Sequence, residues 1–130
     1  MTQKELDLLE LDLSTRTPYW VKAKYEDSVI TIIAVNPYGE AYPDMANYTL
    51  PTDEVKPFLR PLSSMTSDEK MTLAGICLKY APSSDVEGMV SELLKFYCYR
   101  YLDYNHLIEK GLALEAPEGM YDELMKEKSL

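Results

Sequence analysis

The stretch from Tyr19 to Val35, YWVKAKYEDSVITIIAV, constrains the fold more than any other part of the chain. Tyr19, Val21, Ala23 and Tyr25 alternate with Trp20, Lys22, Lys24 and Glu26. That period of two places one set against a core and the other toward solvent. After a turn at Asp27-Ser28, the run Ser28 to Val35 is rich in Val, Ile and Thr on both faces and reads as a strand covered on two sides. Together they predict a β-hairpin over 19–35. Two strands alone are marginal in water, so a further strand or a helical cover is required. Residues 36–51 carry Pro37, Gly39, Pro43 and Pro51 and read as a turn-rich loop, with room for a third strand near 47–50.

Helices supply the cover. Thr2 and Glu5 have the spacing of a capping box, and Leu6, Leu9 and Leu13 form one face of an opening helix that frays or ends before the TRTP stretch (15–18), because Pro18 disfavours helix at Thr17. The segment KPFLRPLSSMTSDEK (56–70) joins two instructions: Pro57 and Pro61 make a stiff strap, and Thr66 with Glu69 opens a capped helix. The strap reads as an organisational joint. The helix from Thr66 to about Tyr80 carries a stripe of Leu73, Ile76, Cys77 and Tyr80. Met71, Ala74 and Leu78 widen its apolar surface enough to predict neighbours on two sides. Ser84 and Glu87 predict another capping box, opening the longest helix, to about Tyr104. Its core stripe is Val86, Val90, Leu93, Leu94, Tyr97, Tyr101 and Tyr104. Tyr99 falls on the opposite side with Lys95 and Glu92, and this trio is the candidate partner contact. Gly111 marks a helix C-cap, and a closing helix begins near Pro117.

Composition limits the functional classes. Hydrophobic residues make up 46% and charged residues 27%, globular proportions for a chain of 130 residues, which suits one domain over 1–130. Thirteen basic against 22 acidic residues give a net charge of −9, spread along the chain. Such a surface repels a phosphate backbone, so direct nucleic-acid binding is not expected. The acidic face suits either solubility or a basic partner. The apolar strip 29–35 is too short to span a membrane, and the N-terminus has no signal-peptide pattern, so a soluble cytoplasmic protein without membrane contact is expected.

Groups for catalysis are scarce. His106 is the one histidine, so every Ser-His or Cys-His arrangement would have to use it, and no nucleophile-elbow motif is present. Cys77 and Cys98 lie 21 residues apart with no CxxC, and are expected as free, mostly buried thiols without zinc or disulfide. The five glycines are too scattered for a phosphate loop. No catalytic residue, cofactor or metal site is expected.

Three segments, LDLSTRTPYWVK (11–22), VKPFLRPLSSMT (55–66) and LDYNHLIEKGLALEAPEGMY (102–121), resemble segments shared by small uncharacterised proteins encoded in phages, prophages and mobile elements of anaerobic gut bacteria. In the third segment the chain has Asn105-His106 where the family pattern has Arg-Gly. The resemblance implies a bacterial or phage cytoplasm and an accessory role, and brings no activity, cofactor or site residue. The residues themselves predict an α+β fold, a small antiparallel sheet packed against a C-terminal helical layer. The expected function is that of a non-catalytic interaction protein, an adaptor or regulator with a protein partner. The alternatives are an acidic inhibitor occupying a nucleic-acid-binding surface of its target, and a small hydrolase using His106 and carboxylates.

Overall fold

The computed structural model describes residues 1–128 and shows an α+β fold. Helix α1 (Gln3–Arg16) leads through a 3-10 turn into strands β1 (Val21–Tyr25), β2 (Ser28–Val35), β3 (Glu40–Pro43), β4 (Leu50–Pro51) and β5 (Val55–Leu59). Helices α2 (Ser67–Tyr80) and α3 (Val86–Tyr99) follow, then the short strand β6 (Leu114–Glu115) and helix α4 (Asp122–Lys128). The sheet runs in the order β4-β3-β2-β1-β5-β6, antiparallel except for the β5–β6 pair. It is thus a six-stranded mixed sheet built around the expected hairpin. Val21 pairs with Ile32 and Tyr25 with Ser28, and a sharp turn holds Glu26 at φ 53°.

Two strands lie where the sequence predicts loop or strap. Glu40–Pro43 is β3, paired with β2 across an irregularity between Ile32 and Ala34. The third strand expected near 47–50 survives only as the Leu50–Pro51 pair. The proline-bearing strap is itself a strand inside the sheet, with Pro57 opposite Ala23 of β1. Pro57 gives up one donor, and regular β1–β5 pairing stops there. Beyond it, the Tyr121 hydroxyl bridges the two strands, accepting from Lys22 N (2.9 Å) and donating to Phe58 O (2.7 Å). A side chain thereby completes a ladder that the proline interrupts.

The covered face of the sheet carries Val21, Ala23, Ile32, Ala41, Val55 and Leu59. They share one cluster with Leu9 and Leu13 of α1 and with Tyr101, Leu107, Leu112, Ala113 and Tyr121. The cover is therefore α1 plus the largely non-helical stretch after α3, rather than a C-terminal helical layer alone. The other face of β1–β2 is open: Val29 and Ile33 are exposed, which corrects the reading of β2 as covered on both sides. Both capping boxes at Thr2/Glu5 and Thr66/Glu69 form. The one expected at Ser84 does not; Asp85 caps α3 instead, its carboxylate accepting from Gly88 N at 2.9 Å.

Helix α3 ends at Tyr99, because Tyr101 adopts a left-handed φ of 57°. The predicted stripe to Tyr104 is thus split. Tyr101 is fully buried in the main cluster, whereas Val86 and Val90 are exposed. Nor does the closing helix begin near Pro117. Residues 117–121 form turns, and α4 starts at Asp122. Gly111 has the expected positive φ of 74°, but it punctuates a series of turns rather than a helix. Cys98 is buried, whereas Cys77 is exposed, contrary to its placement in the α2 stripe.

Candidate functional site

A cleft of about 880 Å³ lies at the foot of the α2–α3 pair. Its walls come from the end of β5, the first turn of α2, the last turn of α3, and residues 115–125. The strap sets this geometry. Arg60 N donates to Tyr101 O at 2.7 Å and Arg60 O accepts from Asp103 N at 2.8 Å. With its backbone held on both sides, the Arg60 side chain extends along the cleft wall.

Glu69 is the hub. Its carboxylate takes a two-pronged bond from Arg60, Nη1 to Oε2 at 2.8 Å and Nη2 to Oε1 at 2.7 Å. The same carboxylate accepts from Thr66 N at 2.9 Å, closing the cap of α2. Arg100 approaches it at 3.6 Å while its guanidinium lies 4.5 Å from the centre of the Phe96 ring. Hydrogen bonds from Arg60, together with the Thr66 amide and the positive charges of Arg60 and Arg100, hold the Glu69 carboxyl below its ordinary value against the opposing effect of burial. Arg60 also donates to Ser64 O and Arg100 O, so both terminal nitrogens of its guanidinium are engaged within the protein. One ion-pair cluster thus joins β5, α2 and α3, giving the strap its role as a joint.

Arg60 and Arg100 share the one Glu69 carboxylate, and the positive charge left over is outnumbered by carboxylates at the rim, so the cleft is acidic on balance. Glu115, Glu118 and Asp122 are exposed at the rim. Pro61, Tyr99, Ala116, Pro117, Met120 and Met125 contribute apolar wall. This arrangement suits an aliphatic or aromatic group carried beside positive charge. His106 is exposed and is not among the lining residues. Among the described residues there is no group of three His, Cys, Asp or Glu side chains placed to hold a metal ion.

The predicted contact trio separates into three environments. Tyr99 lines the cleft, half-buried, with its ring centre 4.5 Å from that of Tyr19. This replaces the reading of Tyr99 as a solvent-facing residue. Lys95 is exposed beside a dent of about 160 Å³ that Tyr19, Leu94 and Cys98 help to line. Glu92 lies in the α2–α3 seam, accepting from Lys79 Nζ at 2.6 Å and from the Tyr80 hydroxyl at 2.8 Å. Those bonds hold its carboxyl below the ordinary value.

The sequence reading missed two polar centres. Glu69 was legible as a cap, but its second role required knowing that Arg60 and Arg100 converge on it. Asp12 and Arg16 have the i, i+4 spacing that signals a helical ion pair, and both are fully buried. Arg16 donates to Asp12 at 2.5 Å and to Leu102 O at 2.6 Å, and its guanidinium lies 4.8 Å from the centre of the Tyr104 ring. Asn105 donates to the same Asp12 carboxylate, and the Asp103 carboxylate accepts from the amides of Leu107 and Ile108. Tyr104 and Asn105 therefore tie a non-helical segment to α1, and Asp103 braces the turn within that segment. Comparison of the chain with protein-family models, curated proteins and solved structures found no match.

Proposed function

We infer that this chain is a non-catalytic interaction protein whose recognition site is the cleft between the strap and residues 115–125. The observation that carries this reading is the division of polar labour in the cleft. Arg60 and Arg100 share the Glu69 carboxylate, and the one positive charge this leaves is outnumbered by the three rim carboxylates beside apolar walls. The partner is a protein segment presenting basic side chains beside an apolar one, and Tyr99 is the residue retained from the expected contact set. A locked ion-pair hub also makes the cleft preformed, which lowers the ordering cost of binding. The resemblance of three segments to small phage and mobile-element proteins supports an accessory role in a bacterial cytoplasm, as an adaptor or regulator of a host protein. No helix among the described residues is long and apolar enough to cross a membrane.

The test compares two triple charge reversals in affinity capture from the cells that carry the protein. Glu115→Lys/Glu118→Lys/Asp122→Lys alters the cleft rim, and Glu26→Lys/Asp27→Lys/Glu54→Lys alters exposed positions outside it. Loss of a basic partner with the first set alone supports the reading. Equal capture by both, or loss with both, contradicts it.

A further inference from the structure

Helix α2 is unusual in having no buried residue along its 14 positions. Its inner row, Glu69, Leu73, Ile76 and Tyr80, is half-buried beside α3. The outer row is Ser67, Met71, Ala74, Leu78 and Ala81, all exposed, with Met71 at 72% and Leu78 at 74%. This row has spacings of four, three, four and three, the repeat that keeps one seam of a helix against another helix. The sequence predicted neighbours on two sides of α2, and the protein alone supplies one.

We propose that the outer face of α2 pairs with the same face of a second copy of this chain, as an antiparallel two-helix contact about an axis near Ala74 and Gly75. Three observations select a second copy. The row is self-complementary in size: reversing one helix about Ala74–Gly75 sets Met71 level with Leu78 of the other copy and leaves the small residues at the crossing. A side chain at Gly75 would meet nothing within 4 Å in the isolated chain, so the crossing point is open.

The charges are self-complementary as well. On a wheel of about 100° per residue, Asp68 and Lys79 lie on one flank of the row, roughly 100° and 120° from its centre. In the antiparallel arrangement that flank meets its own copy, bringing Asp68 within about two residues of the level of the other chain's Lys79. Lys70 occupies the opposite flank and faces Cys77 instead of a like charge. Lys79 holds Glu92 but its side chain remains 61% exposed, leaving its ammonium accessible to a second carboxylate.

Finally, α2 is the neutral part of an acidic molecule. Asp68 and Glu69 balance Lys70 and Lys79, whereas the chain as a whole carries −9. Two copies therefore meet with least repulsion along this helix. A contact between helices about 21 Å long is smaller than a standard interface of roughly 1,200–2,000 Å², so the pairing is a micromolar, reversible one. This surface lies opposite the inner row that contributes Glu69 to the cleft, so failure of the pairing leaves the cleft reading standing.

Sedimentation equilibrium of the full chain from low to high micromolar concentration tests the proposal. The wild type is expected to follow a monomer–dimer equilibrium. Ala74→Glu and Leu78→Glu should each weaken it at least tenfold, with helical circular dichroism unchanged because both positions are exposed. Tyr38→Glu, at an 85% exposed position outside α2, should leave it unchanged. Asp68→Lys and Lys79→Asp should each weaken pairing, and the double exchange should restore it. A wild type that stays monomeric at high micromolar concentration overturns the proposal. So does a dimer that survives both glutamate variants, and so does a double exchange that fails to recover.

Discussion

At the scale of single residues, the structure depends on polar groups in places where an apolar residue is the usual choice. Asp12 and Arg16 are fully buried, so removing one partner strands the other's charge or donors away from water. Asp12→Ala is predicted to lower stability by about 3–5 kcal/mol, read from the urea midpoint, while Asp12→Leu/Arg16→Met should cost far less than that single change. Equal losses would mean that the pair is not buried as a unit. Tyr121 gives a second prediction. Its ring stacks on Tyr101 with centres 3.7 Å apart, so Tyr121→Phe keeps the packing and removes only the hydroxyl that joins Lys22 to Phe58. The expected cost is about 1–3 kcal/mol, chiefly for the buried Phe58 carbonyl left unsatisfied beside a part-buried Lys22 amide. A change below a few tenths would show that the β1–β5 gap closes without it.

At the scale of elements, the parts differ in how firmly they are held. Strands β1 and β5 are each paired on both sides within the sheet, with Val21, Ala23 and Leu59 fully buried, while α2 has only a half-buried row against α3. Amide exchange should accordingly be slowest in β1 and β5 and faster in α2 by orders of magnitude, since a helix of this length is marginal without tertiary cover. Exchange in α2 as slow as in β1 would contradict that ranking. The same contrast explains what was legible beforehand. The hairpin, the opening helix and α2 rest on local signals, alternation and Thr-to-Glu capping spacings, and all three form, although α1 runs on to Arg16, into the TRTP stretch expected to follow its end. The strand at Val55–Leu59 was hidden because a proline inside it argues against a sheet, and its acceptance depends on Tyr121, 64 residues away in sequence. The early end of α3 has no local breaker either. Residues 101–107 leave the helix because Tyr101, Leu102 and Asp103 are drawn into contacts with Tyr19, Arg16 and Arg60. Of the candidate site, Tyr99 was legible as an aromatic in need of an explanation, but the rim carboxylates and the Arg60–Glu69 hub become neighbours only in the fold.

At the scale of the whole molecule, burial of tyrosine sets the response to alkali. Tyr101, Tyr104 and Tyr121 are all pushed well above the ordinary value of 10.0, chiefly by burial. An unfolded chain releases these protons near pH 10, whereas the folded chain keeps them. Their contribution is therefore fully present below about pH 10 and is lost as pH rises toward the folded values. Urea midpoints should hold steady up to about pH 9 and fall beyond about pH 10, with a shallower fall in Tyr104→Phe. An unchanged slope in that variant would remove Tyr104 from the account.

The claim on which the functional reading depends is that the acidic, apolar cleft is where a basic partner docks. Photo-crosslinking tests it most directly, with benzoylphenylalanine placed at Met120 in the cleft or at Tyr38, which is 85% exposed outside it. The expected result is an adduct from position 120 alone, whose attached peptide carries lysine or arginine beside an apolar side chain. An adduct from position 38 with none from position 120, or an acidic peptide bound at 120, would contradict it.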